Sequence, residues 1–301
     1  MHIIRPSDLS DDQLDHLLRE AEHWLEHNRG ADKRVDRLAG RSIVLAFFEN
    51  STRTLLSFDM AAQRLGAMVT TLPAGQSSLA KGETLIDTAL TIDAMQVDAL
   101  VMRHPEPGAP DTVAETIRAA VVNAGDGTGE HPTQGLLDVA TIHHHFGRVD
   151  GLKVAICGDI RHSRVASSTH ALLERLGADV TLAGPAALMP EGHDGADGID
   201  DAVAGADVVM MLRIQRERLA ADLGDAPGEY LARYGLTEKR FATAAPGAVI
   251  MHPGPMNRGV EILGELADSE HSLITAQVEM GVAMRMAVLD LAINEPAAVT
   301  S

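Results

Sequence analysis

Aromatic side chains are scarce, with phenylalanine, tyrosine and tryptophan together making up 3% of the 301 residues. Cores must then be filled by Ala, Val, Leu, Ile and Met, and an aromatic stacking platform for single-stranded nucleic acid is argued against. Basic residues are also few, 25 Lys and Arg against 43 Asp and Glu, for a net charge of −18. Such a surface repels DNA, RNA and anionic membranes. The only cysteine, Cys157, lies in the apolar run Val154-Ala155-Ile156-Cys157. It has no partner for an internal disulfide and reads as a small core residue in a reducing compartment. No apolar run reaches transmembrane length, and Met1 to Asp8 lacks the apolar stretch of a signal peptide. The expectation is a cytoplasmic protein with neither a nucleic-acid nor a membrane partner. Metal-ligand spacing is missing too: His143-His144-His145 closes a helical segment without nearby Cys or spaced ligands and reads as a solvated helix end.

What is present is an alternation of strands and helices. With 45% apolar content the chain is long enough for two cores of ordinary size. Ser10 and Gln13 form a capping-box pattern, followed by Leu14, Leu17, Leu18, Ala21, Trp24 and Leu25 at helical spacing. Strands are expected over Ser42 to Phe48, Ala67 to Leu72, Ala99 to Met102 and Ala119 to Asn123. Helices are expected near Thr52 to Leu65, Glu83 to Met95, Thr112 to Arg118 and Thr133 to Phe146. That alternation means parallel strands joined by crossover helices. After the turn-rich Gly147-Arg148-Val149-Asp150-Gly151 it restarts, with strands at Lys153 to Cys157, Asp179 to Ala183, Asp207 to Leu212 and Ala248 to Met251. A helix is expected from Ser163 to Leu176, a long polar connection from Leu219 to Gly235, and a final helix near Ala276 to Ile293 with Val278, Val282, Met286, Leu289 and Ile293 on one stripe. The fold class is α/β, with two doubly wound parallel-sheet domains, 1–149 and 150–274.

The densest chemistry is Phe47-Phe48-Glu49-Asn50-Ser51-Thr52-Arg53-Thr54, where an apolar strand runs into hydroxyls and a guanidinium and then a helix. Backbone N–H groups at a helix start have no intrahelical acceptor and the helix dipole favours negative charge there, so this is a cradle for a phosphate. Arg53 can bind two phosphate oxygens with its planar fork. The competing reading is an ordinary Ser N-cap with a Thr-rich first turn. Arg103-His104-Pro105 and His131-Pro132-Thr133-Gln134 also follow strand ends. Ligands of open α/β sheets collect beyond the carboxyl ends of the strands, so these loops are expected to converge.

At this point the chain resembles the aspartate carbamoyltransferase catalytic subunits of the aspartate/ornithine carbamoyltransferase superfamily. Besides Ser51-Thr52-Arg53-Thr54, the motifs in register are Ser78-Leu79-Ala80-Lys81-Gly82-Glu83-Thr84, Arg103-His104-Pro105, His131-Pro132-Thr133-Gln134, Gly158-Asp159-Ile160-Arg161-His162-Ser163-Arg164, Arg213-Ile214-Gln215-Arg216-Glu217-Arg218 and His252-Pro253-Gly254-Pro255. They span nearly the whole length. The clearest departure is Leu55, where many relatives carry a second Arg.

The resemblance implies an active site in the cleft between the two domains, a final helix (275–301) that packs back on the first, and carbamoyl transfer to an amine with no cofactor and no metal. Ser51, Thr52, Arg53 and Thr54 inherit the phosphate, and Arg103 bridges phosphate and carbonyl oxygen. His131 and Thr54 donate to that oxygen, and Gln134 accepts from the carbamoyl amide. Ser77, Ser78 and Lys81 sit in a loop that reaches a neighbouring subunit's site, which implies a homotrimer, with Ser78 and Ser77 contacting the phosphate. Lys81 would contact both phosphate and aspartate. Arg164, Arg213 and Gln215 match the dicarboxylate contacts, while Gly254 and Pro255 offer carbonyls to the ligand amine, with a cis bond before Pro255 resting on the resemblance alone. An ornithine enzyme would call for acidic partners and a Cys in the late loop, which here reads His252-Pro253-Gly254-Pro255. The sequence leaves three alternatives: an ornithine-type acceptor, a non-catalytic scaffold subunit of a pyrimidine-pathway complex, and a nicotinamide dehydrogenase. The last is weakened because Gly125-Asp126-Gly127-Thr128-Gly129 has the wrong spacing and comes late in the domain. A regulatory chain or a dihydroorotase partner is compatible with the resemblance.

Overall fold

The computed structural model describes residues 1–72, 82–192, 198–214 and 227–295. It divides into two units, Met1–Ala140 with Glu279–Ser301, and Thr141–Val278. Each contains a four-stranded parallel sheet.

In the first unit the strands are β1 (Ser42–Phe47), β2 (Met68–Leu72), β3 (Ala99–His104) and β4 (Ala120–Asp126), in the spatial order β2-β1-β3-β4. β1 and β3 are central, and their apolar runs from Ile43 to Phe47 and from Ala99 to Met102 are buried, as expected of strands covered on both faces. β2 is an edge strand and leaves Met68 exposed. Helix α1 (Asp11–Arg29) begins in the expected capping box: Ser10 Oγ accepts from the Gln13 amide at 3.2 Å, and Gln13 Oε1 accepts from the Ser10 amide at 2.9 Å. Its stripe from Leu14 to Leu25 is buried. α2 (Thr52–Arg64), α3 (Leu85–Ala94), α4 (Ala109–Ala114) and α5 (Pro132–Phe146) complete the series.

α4 departs from the expected 112–118. It starts early because Gly108, at φ +81°, turns the chain while its amide donates to Asp126 Oδ2 at 2.8 Å, and Pro110 fits the first turn. Past its end, the buried Asp93 carboxylate accepts from the amides of Arg118 (3.1 Å) and Ala119 (3.0 Å), leading the chain out toward β4. Burial alone would raise the Asp93 pKa. Hydrogen bonds from the Ala119 amide and from the Arg118 guanidinium and amide outweigh it and hold the carboxyl below its ordinary value. A depressed pKa contributes stability that is present above the unfolded value of about 3.9 and is lost as pH falls through the folded value. Asp93→Ala is therefore expected to lower stability at pH 7 by about 1–3 kcal/mol, since it strands buried amides. Urea melts at pH 7 and pH 3 check this, with a smaller difference between variant and parent at the acid end.

The second unit repeats the scheme with β5 (Lys153–Cys157), β6 (Asp179–Ala183), β7 (Val208–Met211) and β8 (Val249–Met251), ordered β6-β5-β7-β8. Helices α6 (Arg164–Arg175) and α7 (Ile199–Val203) accompany them. Cys157 is in the core, and burial pushes its thiol up to about 12, so it is protonated and inert at neutral pH. The expected polar connection from Leu219 to Gly235 contains a helix at Pro227–Tyr234 that buries Tyr230.

The closing helix, Ile274–Asn294, is not a single stripe. Val278 is exposed, whereas from Met280 onward apolar residues on nearly every side are buried. Arg285 and Asp290 are buried among them. Among the described residues, no helix is long and apolar enough to cross a membrane.

Candidate active site

Each sheet order has one switch point, the place where successive connections leave in opposite directions. In the first unit it lies between β1 and β3, and in the second between β5 and β7. A crevice beyond the carboxyl ends of such strands is the usual ligand site of open α/β sheets.

Beyond β1 the chain passes through Glu49 and Asn50 to Ser51, the N-cap of α2. Ser51 has extended backbone but makes no side-chain cap hydrogen bond. The ordinary-cap reading is thus not what the structure contains, and the hydroxyl is not spent on the helix. Thr52 and Arg53 are exposed in the first turn, Thr54 is buried, and Leu55 is half-buried.

Beside this loop, Arg103 is itself a residue of β3, paired in register with Phe47. β3 and β4 run further than the sequence suggests, to His104 and Asp126, because polar residues near the carboxyl ends of both strands remain in the ladder. Arg103 is 8% exposed, with NH1 donating to the Ala124 carbonyl at 3.1 Å and NH2 donating to Glu49 Oε1 at 2.8 Å. Glu49 was not singled out from the sequence. A carboxylate bonded to a buried guanidinium holds that cation in place and partly neutralises it until an anion competes.

Beyond β4, Asp126 organises the turn, accepting from the amides of Gly108 (2.8 Å) and Glu130 (2.6 Å) and from Asn123 Nδ2 at 3.1 Å. Gly127, at φ +51°, passes so close to Pro105 that an added Cβ would lie 2.4 Å from its carbonyl oxygen. This close packing joins the Arg103-His104-Pro105 loop to the loop that delivers His131. His131 (3% exposed) directly precedes α5, and its carbonyl accepts from the amide of Gln134 at 2.9 Å. Gln134 is buried, and its Nε2 donates to Asp138 Oδ1 at 3.0 Å. The first unit therefore brings the loops after β1, β3 and β4 to one edge of its sheet.

In the second unit, Gly158 follows β5 at φ +134°, and a Cβ there would lie 2.9 Å from the Leu212 carbonyl oxygen, so the two chain ends meet through glycine. Asp159 Oδ1 lies 2.8 Å from His162 Nδ1, and Ser163 caps α6 by accepting from the Ala166 amide at 3.1 Å. Arg164, half-buried, opens that helix, and Arg213, exposed, lies just past β7. The Arg164 and Arg213 loops thus flank the second switch point.

After β8, His252 Nδ1 accepts from the Gly254 amide at 2.8 Å, and Nε2 lies 3.2 Å from Glu261 Oε1. The tautomer follows: Nδ1 is the acceptor and Nε2 carries the proton. The Gly254–Pro255 bond is cis. His143, His144 and His145 lie in the last turn of α5, the latter two exposed. Among the described residues, no group of three or more His, Cys, Asp or Glu is placed to hold a metal ion. Ser77, Ser78, Lys81, Gln215, Arg216, Glu217 and Arg218 lie outside the described residues.

Two parallel sheets, each with cationic loops beyond its switch point, suit an anionic ligand, and comparison with known proteins identifies the class as the carbamoyltransferases. The profile of the carbamoyl-P binding domain of aspartate/ornithine carbamoyltransferase matches residues 1–144, and that of the Asp/Orn binding domain matches residues 150–292. The chain belongs to the aspartate/ornithine carbamoyltransferase family.

Within that family it is similar to aspartate carbamoyltransferase catalytic subunits. It is 52% identical to that of Gluconacetobacter diazotrophicus over 296 residues, covering 96% of this chain and 92% of the relative. It is 54% identical to that of Rhizorhabdus wittichii over 285 residues, covering 91% and 89%. Among solved structures, aspartate transcarbamoylase from Trypanosoma cruzi in complex with carbamoyl phosphate and aspartate aligns with a TM-score of 0.84 at 31% identity, covering 96% of this chain and 95% of that one.

Proposed function

We propose that this chain transfers the carbamoyl group of carbamoyl phosphate to the amine of L-aspartate, giving N-carbamoyl-L-aspartate and phosphate, in de novo pyrimidine biosynthesis. The observation that carries the reading is the edge of the first sheet, where the open helix start at Ser51 follows β1, the buried Arg103 stands at the carboxyl end of β3 and the His131/Gln134 pair follows β4. Support for the acceptor comes from the curated relatives, which are aspartate enzymes, and from the solved Trypanosoma cruzi complex with carbamoyl phosphate and aspartate.

In this reading the amine nitrogen attacks the carbonyl carbon, the carbonyl oxygen takes up charge, and the carbon–oxygen bond to phosphate then breaks. The amine proton leaves with the departing phosphate as its candidate acceptor. Ser51, Thr52, Arg53 and Thr54 hold the phosphate. Arg103, Thr54 and His131 stabilise the developing oxyanion, and Gln134 accepts from the carbamoyl NH2. Arg164, Arg213 and Gln215 bind the two carboxylates of aspartate, and the carbonyls of Gly254 and Pro255 face its amine. Ser78 and Lys81 complete the site from a neighbouring subunit of a homotrimer. Leu55 leaves Arg53 in place and changes only local packing or anion affinity.

The domains 1–149 with the closing helix, and 150–274, belong to the same proposal; residues 296–301 lie outside the described residues. Their support is the division into two units and the two family profiles. We place the reaction in the cytoplasm.

The test is phosphate release from carbamoyl phosphate with aspartate or with ornithine as acceptor. Release with aspartate alone is expected. Release with ornithine alone would replace the acceptor assignment, and no release with either, together with no binding of a phosphonate bisubstrate mimic, would leave a scaffold subunit.

A further inference from the structure

Asp138 stands one turn after Gln134 on α5 and is fully buried in the apolar stretch Leu136-Leu137-Asp138-Val139-Ala140. It accepts from Gln134 Nε2 at 3.0 Å. A side-chain amide has two faces, one donating and one accepting, whereas a carboxylate only accepts. The bond therefore selects one of the two orientations of Gln134, with NH2 toward Asp138 and Oε1 turned away.

A carboxylate in such surroundings requires a counter-charge. Arg285 of the closing helix provides it. The residue is buried, its NH1 donates to the Gly281 carbonyl at 3.0 Å, and its guanidinium lies 5.0 Å from the centre of the Phe58 ring. Gly281 makes the room: a Cβ there would lie 2.8 Å from Arg285 NH1 and 3.4 Å from Leu137 Cδ2. Burial lowers the Arg285 pKa to about 10, with the Asp138 charge opposing that drop and the Arg103 charge adding to it. Arg285 stays protonated at neutral pH. Phe58 belongs to α2, the helix whose first turn carries Thr52, Arg53 and Thr54. One buried cation thus touches α2 and the closing helix and faces the charge on α5.

We propose that Asp138, backed by Arg285, is a positioning residue that sets the polarity of the Gln134 amide, so that the site selects an acyl phosphate bearing NH2 over one bearing a methyl group. The inference rests on the reading of Gln134 as the group that meets the carbamoyl amide. With Oε1 forward, Gln134 accepts from a carbamoyl NH2 and has nothing to offer an acetyl methyl. With NH2 forward, two donors would face each other.

Asp138→Asn keeps the shape but supplies a donor of its own, which allows Gln134 to turn round. The experiment compares the KM for carbamoyl phosphate with the inhibition constant of acetyl phosphate, alongside thermal melting. The variant is expected to raise the carbamoyl phosphate KM about tenfold, the worth of one hydrogen bond, with the acetyl phosphate constant within about twofold of the parent. Asp138→Glu keeps the acceptor and is expected to retain the preference. If Asp138→Asn does not fold, Asp138→Ser, which trims bulk and can donate, is the second variant with the same selective loss expected. Equal weakening of both ligands, or no change in either, overturns the proposal. Gln134→Ala separates the two levels: if it abolishes the carbamoyl preference while the Asp138 variants do not, positioning fails and the Gln134 reading stands. If Gln134→Ala leaves the preference intact, both fail.

Discussion

Arg103→Ala is expected to lower aspartate-dependent phosphate release by about a thousandfold, the upper range for removing one donor to a developing oxyanion. Two features set the size of the effect. The guanidinium is buried, where a charge is poorly screened and cannot be replaced by solvent without rearrangement. It is also fixed from both sides, by the Ala124 carbonyl and by Glu49, so it is already oriented before a substrate arrives. In the proposed reaction it serves two atoms, a phosphate oxygen and the carbonyl oxygen, and its loss lowers kcat and weakens carbamoyl phosphate together. Arg103→Lys recovers only part of the rate, because an ammonium has no planar fork to span both oxygens. Steady-state kinetics with melting temperatures as a control decide the matter. A loss smaller than tenfold in a folded variant would remove Arg103 from the reacting carbonyl.

The second large effect is a gain. Arg53→Ala and Lys81→Ala are each expected to lose about a hundredfold or more of activity, since each removes a charge-assisted contact to the transferred phosphate. Mixing the two inactive preparations under conditions of subunit exchange should restore activity. In a cyclic trimer whose sites each take Arg53 from one subunit and Lys81 from the next, every hybrid has one site with both residues native. Random reassembly of equal amounts then returns about a quarter of the parental activity. Recovery near zero, with exchange verified by a mass tag, would mean that each site draws both residues from one chain.

The helix start at Ser51 was legible because Ser and Thr following an apolar strand are helix N-terminus residues, whether or not an anion binds there. Strand ends were less so. Arg103, His104 and Asp126 do not look like strand residues, yet Arg103 pairs with Phe47 and His104 with Asp126, so the ladder runs on into the polar residues. Glu49 was visible in the sequence but its partner was not, since the pair joins the loop after β1 to β3, far apart in the chain. Asp138 and Arg285 each interrupt an apolar run on a helix, and that was the available signal. An isolated charge in such a run marks a buried polar contact without naming the partner. The helix at Pro227–Tyr234 was hidden by its opening Pro-Gly, a turn signal, although Tyr230 anchors it. The cis bond at Gly254–Pro255 had no reading from composition, because most bonds before proline are trans.

The closing helix bears on how the polypeptide is made. The unit that contains Met1–Ala140 also contains Glu279–Ser301, and the two stretches are stitched together by the Met1 amine on the Ala292 carbonyl at 2.6 Å, by Arg37 on Asp290 at 2.9 Å and by Arg285 over Phe58. Domains generally fold as units while the ribosome works from the amino end. Here the first unit lacks residues 279–295 until they have been translated, so every residue of the second unit, 141–278, is made before the first unit has its full set, and the apolar partners of the closing helix wait for it in the nascent chain.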